Sequence, residues 1–134
     1  MNRLLIAIAA VFFSTSAMAE YHVVVSKRHQ TMSVYEDGEL LDVWPVSTAR
    51  RGYVTPSGTF YPYSYQPMHY SKKYDNAPMP HSIFFNGGYA IHATPHVGNL
   101  GRPASHGCVR LSPSHAATLY NMTKGVPTTI SIKE

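Results

Sequence analysis

Residues 91–111 read I-H-A-T-P-H-V-G-N-L-G-R-P-A-S-H-G-C-V-R-L, and this stretch holds the only cysteine of the chain, Cys108. A thiol attacks as the thiolate. With an ordinary pKa of about 8.5, roughly 3% of an unassisted cysteine is ionised at pH 7, so a catalytic one needs a base or an electropositive setting. His92 and His106 are the candidates. In an extended segment His106 leaves the chain on the same face as Cys108, two residues on, whereas folding must bring His92 to the thiol. Gly107 removes a side chain beside the nucleophile. That lets a carbonyl approach the backbone N–H groups around residues 106–108, a candidate oxyanion hole.

Working outward, residues 21–65 have the composition of β-structure. Tyr21, Val23 and Val25 alternate with His22, Val24 and Ser26, and Met32, Val34 and Leu40 to Val46 continue the pattern. Asp37-Gly38 between two such runs accepts the positive φ angles of a tight hairpin turn. Leu40, Val43, Trp44 and Val46 are expected in the core, and Thr59 to Tyr63 as a strand after the bend at Pro56 and Gly58. From Tyr61 to Pro80 tyrosines alternate with prolines, which reads as a long ordered loop. Tyr61, Tyr63, Tyr65 and Tyr70 are its candidate substrate-facing cap over the thiol; the alternative is a surface loop packed on its own tyrosines. Ile83 to Phe85 and Tyr89 to His92 then form a second hairpin around Asn86-Gly87-Gly88. After Leu111, Ser112 as N-cap and Pro113 at the first position start a helix that Gly125 stops, and Val126 to Ile132 is a closing strand.

At the other end, a short basic head with Arg3, an apolar run from Leu4 to Phe13 and the small-x-small triplet Ala17-Met18-Ala19 predict a secretory signal peptide over residues 1–19. The run is too short for a membrane-spanning helix, and no stable membrane anchor is expected. Residues 20–134 then form one domain. A single cysteine allows no internal disulfide, so in an oxidising compartment this thiol is expected to be reactive or intermolecular. The formal charge of +4 suits an anionic polymer. Its basic residues come as scattered pairs, so no nucleic acid partner is expected. Metal catalysis is not expected either: Pro95 lies between His92 and His96, and no H-E-x-x-H spacing occurs. His22, His29, His69 and His115 are assigned to surface or packing, and His81 and His96 are candidate liners of the site.

The pattern I-H-x-T followed by S-H-G-C-V-R-L resembles the active-site signature of the L,D-transpeptidase (YkuD-type) catalytic domains. T-P-S-G-T-F at 55–60 and M-P-H-S-I-F-F at 79–85 resemble that family's lead-in segments. The resemblance implies a mainly β domain with one or two helices, a β-sandwich or barrel-like catalytic domain. It implies a cysteine nucleophile that cleaves the diaminopimelate–D-alanine bond of a peptidoglycan stem tetrapeptide through a thioester, without a cofactor, in the periplasm or cell wall. Cys108 is then the nucleophile and His92 the base, oriented by the backbone carbonyl of Ala93, where many members have Gly. His106 and Gly107, with Ser105 beside them and the amide of Cys108, shape the oxyanion and substrate-binding region. Arg110 holds a substrate carboxylate or braces the loop. The acceptor can be an amine of a second stem, a lipoprotein lysine or water, the last giving an L,D-carboxypeptidase. A papain-like wall hydrolase, in which the Cys precedes the His, and a non-catalytic wall-binding protein are the rival classes.

Overall fold

The computed structural model describes residues 5–11 and 19–134. The signal peptide expected over residues 1–19 rests largely on residues outside those described. Among the described residues, no helix is long and apolar enough to cross a membrane.

Among the described residues nine strands form two sheets. The first has the order β3-β2-β1-β9-β4, from β1 (Tyr21–Ser26), β2 (Thr31–Glu36), β3 (Glu39–Pro45), β4 (Gly58–Phe60) and β9 (Thr128–Lys133). The second has the order β5-β6-β7-β8, from β5 (Ser64–Ser71), β6 (Ala77–Asn86), β7 (Tyr89–Ala93) and β8 (Val109–Leu111). One helix, α1 (Pro113–Thr123), links β8 to β9. Val23 and Val25 of β1, Met32 and Val34 of β2, Ile130 and Ile132 of β9, Ile91 of β7, Val109 and Leu111 of β8, and Ala116 and Leu119 of α1 share one core. The mainly β fold with a single α-helix is the one expected.

Local chemistry explains several boundaries. The β2–β3 turn places Asp37 at φ 48 and Gly38 at φ 83, the paired positive angles of a primed hairpin turn. Ser112 caps α1, its hydroxyl accepting from His115 N–H at 3.2 Å, and Gly125 at φ 76 follows the helix end.

Other expectations are corrected. Leu40 and Val43 are exposed, because β3 is an edge strand with a bulge opposite Val34 and Tyr35, and only Trp44 and the following Val46 reach the core. The strand after Gly58 ends at Phe60. The Tyr/Pro segment is no loop: β5 and β6 pair antiparallel from Ser64↔Phe84 to Ser71↔Ala77 around a short 3-10 turn at Lys72–Tyr74. Proline is tolerated there because β5 is an edge strand, and β7 pairs with β6 only at Ile83 to Asn86. Pro78 and Pro80 thus lie where one side of β6 has no ladder to break.

Candidate active site

Strands β7 and β8 run parallel, with Ile91 opposite Val109 and His92 opposite Arg110. Parallel neighbours need a long crossover, and residues 94–108 supply it. Because side chains alternate along a strand, Ile91, Ala93, Val109 and Leu111 turn into the core. His92 and Arg110 turn the other way, with Ala90 and Cys108, which pack against Met79 and Phe84. The histidine and the cysteine, sixteen positions apart in sequence, therefore share one face on adjacent strands. The cavity on that face measures about 590 Å³.

His92 is buried, and its Nδ1 lies 2.8 Å from the carbonyl oxygen of Ala93. A carbonyl can only accept, so the proton sits on Nδ1 and Nε2 keeps its lone pair. Burial pushes the imidazole pKa down to about 4, against the opposing pull of the Ala93 carbonyl. Burial also raises the Cys108 thiol, opposed by a backbone hydrogen bond from Ala90 and by the Arg110 charge. Both groups thus rest neutral at pH 7. Among the described residues the imidazole and the thiol are not hydrogen-bonded to each other.

The loop before Cys108 is tied down on several sides. Ser105 Oγ donates to Cys108 O at 2.6 Å and accepts from Gly107 N–H at 3.0 Å. The Gly107 amide, expected among the oxyanion donors, is therefore committed within the loop. Gly107 has φ 137, and a Cβ there would fall 2.5 Å from Tyr89 Cε1 and 3.0 Å from Val54 O, so the tight approach demands glycine. Thr55 Oγ1 donates to Gly107 O at 2.7 Å. Arg110 Nη1 reaches Ala104 O at 3.3 Å, bracing the loop while its side chain lines the cavity. His106 lines the cavity too, its ring between Tyr74 at 4.1 Å and Tyr53 at 4.7 Å.

The YkuD family, the L,D-transpeptidase catalytic domain, matches residues 20–132.

The chain belongs to it. No curated protein matches the chain. Among solved structures, an L,D-transpeptidase from Mycobacterium smegmatis is 28% identical with a TM-score of 0.80, over 87% of this chain and 59% of that one. An L,D-transpeptidase from Stackebrandtia nassauensis is 32% identical with a TM-score of 0.77, over 90% of this chain and 57% of that one. One from Xylanimonas cellulosilytica is 25% identical with a TM-score of 0.74, over 89% of this chain and 63% of that one. The chain thus spans less than two-thirds of the length of these relatives.

Within this YkuD domain the expected cap is displaced. Tyr61 and Tyr65 line a different cavity, alongside Tyr21, Tyr35 and Val126. Tyr65 donates its hydroxyl to Thr123 Oγ1 at 2.9 Å, Tyr63 donates to Gly87 O, and Tyr70 is exposed and outside the thiol cavity. The tyrosines beside the thiol are Tyr74 and Tyr89. His96 lines the cavity as allowed, whereas His81 packs edge-on against Tyr120 of α1. His69, assigned to surface or packing, faces the thiol cavity and stacks edge-on against Phe84. The cause is one residue. His81 adopts φ 50, and beyond it the alternation of β6 is inverted, so that Met79 and Phe84, an odd number of positions apart, face the same cluster. Ser82 Oγ, donating to Met79 O at 2.7 Å, spans that reversal.

Proposed function

We propose that this chain is a peptidoglycan L,D-transpeptidase that works through a Cys108 thioester. The observation that carries the reading is the shared face of β7 and β8, which sets the nucleophile, a neutral imidazole with a free Nε2, and a guanidinium in one cavity. Cys108 Sγ attacks the carbonyl of the third stem residue, and the thiol proton passes to His92 Nε2 as the Sγ–C bond forms. A neutral starting pair suits this concerted transfer, since neither reacting group has to be held as a buried charge before the substrate arrives. The amide of Cys108 meets the developing oxyanion. The C–N bond to D-alanine then breaks, and His92 returns the proton to the leaving amine. An acceptor amine attacks the thioester, loses its proton to His92 and restores the thiol.

Residues 1–19 as a cleaved leader would deliver the domain to the periplasm, where its stem-peptide substrates are found. The deciding experiment incubates the purified mature domain with disaccharide-tetrapeptide. Cross-linked dimers with released D-alanine are expected; tripeptide monomers alone would make water the acceptor. A lipoprotein bearing a terminal lysine serves as a third acceptor in the same assay. Intact mass after exposure to a carbapenem should show a one-to-one adduct at Cys108, and ampicillin should give little. No adduct and no D-alanine release would return the case to a non-catalytic wall binder.

A further inference from the structure

The proposed reaction leaves one property of the thiol cavity unused. Its lining includes Lys72, Lys73 and Arg110 together with His69, His96 and His106, but no Asp or Glu. The chain's acids are segregated. Glu20, Glu36, Asp37, Glu39 and Asp42 belong to the β1–β3 region of the other sheet, and between Asp42 and Glu134 the sole acid is Asp75. Asp75 follows Lys73 closely in sequence, yet its backbone is left-handed at φ 52 and it does not line the cavity. Among the described residues the one lysine–carboxylate pair is Lys27 with Glu134. The cavity cations thus have no internal counter-ion.

Two of them are also held in place, Arg110 by the carbonyl of Ala104 and Lys73 by a ring. Lys73 Nζ lies 5.5 Å from the centroid of Tyr74, Tyr74 stacks on His106, and Arg50 sits over Tyr53 on the other side of the same imidazole. The summed positive field is felt at His106: burial lowers its pKa, and Arg50, Arg110 and Lys73 push it the same way. Rings that hold a cation beside a cavity leave its remaining donors free for an anion.

We propose that Lys72 and Lys73, with Arg110, read free carboxylates on the stem peptide, so that this cavity selects stems with free side carboxylates over the same stems amidated. This rests on the transpeptidase reading above. A carboxamide matches a carboxylate in size and shape and differs in charge. The preference therefore reports the cationic rim and not the fit of the peptide. An exposed ion pair is worth about 1.4- to 5-fold in affinity, so two carboxylates should give roughly 2- to 25-fold in kcat/KM, carried mostly by KM.

The test uses two synthetic tetrapeptides, L-Ala-γ-D-Glu-diaminopimelyl-D-Ala with the glutamate and diaminopimelate side carboxylates either free or both converted to carboxamides. D-Alanine release is followed at low and high salt with the wild-type domain, K72Q/K73Q and K72R/K73R. Wild type should favour the free acid about 2- to 25-fold at low salt, and the preference should shrink toward unity as the Debye length falls to about 3 Å near 1 M. K72Q/K73Q should lose most of it through a raised KM for the free acid, and K72R/K73R should keep it. Equal kcat/KM on the two peptides, or a preference that survives in K72Q/K73Q, overturns this proposal alone. Release of D-alanine from neither peptide overturns the transpeptidase reading and this one with it.

Discussion

The Thr55 hydroxyl donates to the carbonyl of Gly107 at 2.7 Å, tying the residue before the nucleophile to a segment 52 positions earlier in the chain. The same hydroxyl accepts from Ala49 N–H at 2.9 Å, and the side chain is buried. Its position on the loop is thus fixed from two sides, and it in turn fixes where the Cys108 backbone lies.

Replacing Thr55 with Val keeps the shape and removes the hydroxyl, leaving the buried Gly107 carbonyl and the half-buried Ala49 amide without this partner. A loss of about 1–3 kcal/mol in stability is expected, with slower carbapenem acylation of Cys108. Thr55→Ser should recover most of both. Urea midpoints and acylation rates measure the two effects, and wild-type acylation in T55V would rule out a positioning role.

Gly107→Ala should be far more damaging than its single methyl suggests. The new Cβ meets Tyr89 at 2.5 Å and the Val54 backbone oxygen at 3.0 Å, and φ 137 is strained for any L side chain. Trimming Tyr89 to Leu in the same chain should relieve only the ring contact, since the φ strain and the Val54 carbonyl remain. A fully active double variant would contradict this account of the loop.

Cys108→Ala should leave a folded domain with no D-alanine release. His92→Gln is expected to slow acylation by about 10²- to 10⁴-fold, while His96→Gln, which alters a cavity wall and not the base, should be mild. Equal losses at positions 92 and 96 would mean that a different group takes the proton.

The pH dependence follows from His92. Its folded pKa is about 4 against 6.5 for the free imidazole, so the unfolded chain takes up a proton first as pH falls. Stability should therefore drop between pH 6.5 and 4, by about 3 kcal/mol for the full shift, and this contribution should be flat outside that window. His92→Gln should lose that component of the slope. In catalysis the acid limb of kcat/KM should lie near pH 4, because the base must be neutral to accept the thiol proton. An acid limb near 6.5 that H92Q leaves in place would assign the titration elsewhere.

Much of the chain is legible where neighbours in sequence decide the structure. Asp37-Gly38 sets its turn through two positive φ angles, Ser112-Pro113 starts α1 through a cap and a preset φ, and Val23, Val25, Ile130 and Ile132 alternate into the core. The stretch from Tyr61 to Pro80 is where local composition misleads, since most of its prolines lie within strands. Pro67, Pro78 and Pro80 sit on unpaired edges, and whether an edge is paired depends on which strands lie beside it, not on the local residues.

By itself the sequence determined the hairpin that ends on His92, the turn at Asp37-Gly38 and the start of the helix after Leu111, because each is written in residues a few positions apart. Only the tertiary structure decided which side chains meet over the thiol. The left-handed His81, lodged against Tyr120, inverts the alternation of β6 and brings Met79 into the cluster beside Cys108. The β5–β6 pairing sends His69 and Tyr74 to the cavity and Tyr61 and Tyr65 elsewhere. A period-two pattern carries no record of where its phase reverses, since that reversal is set by packing between segments far apart in the chain.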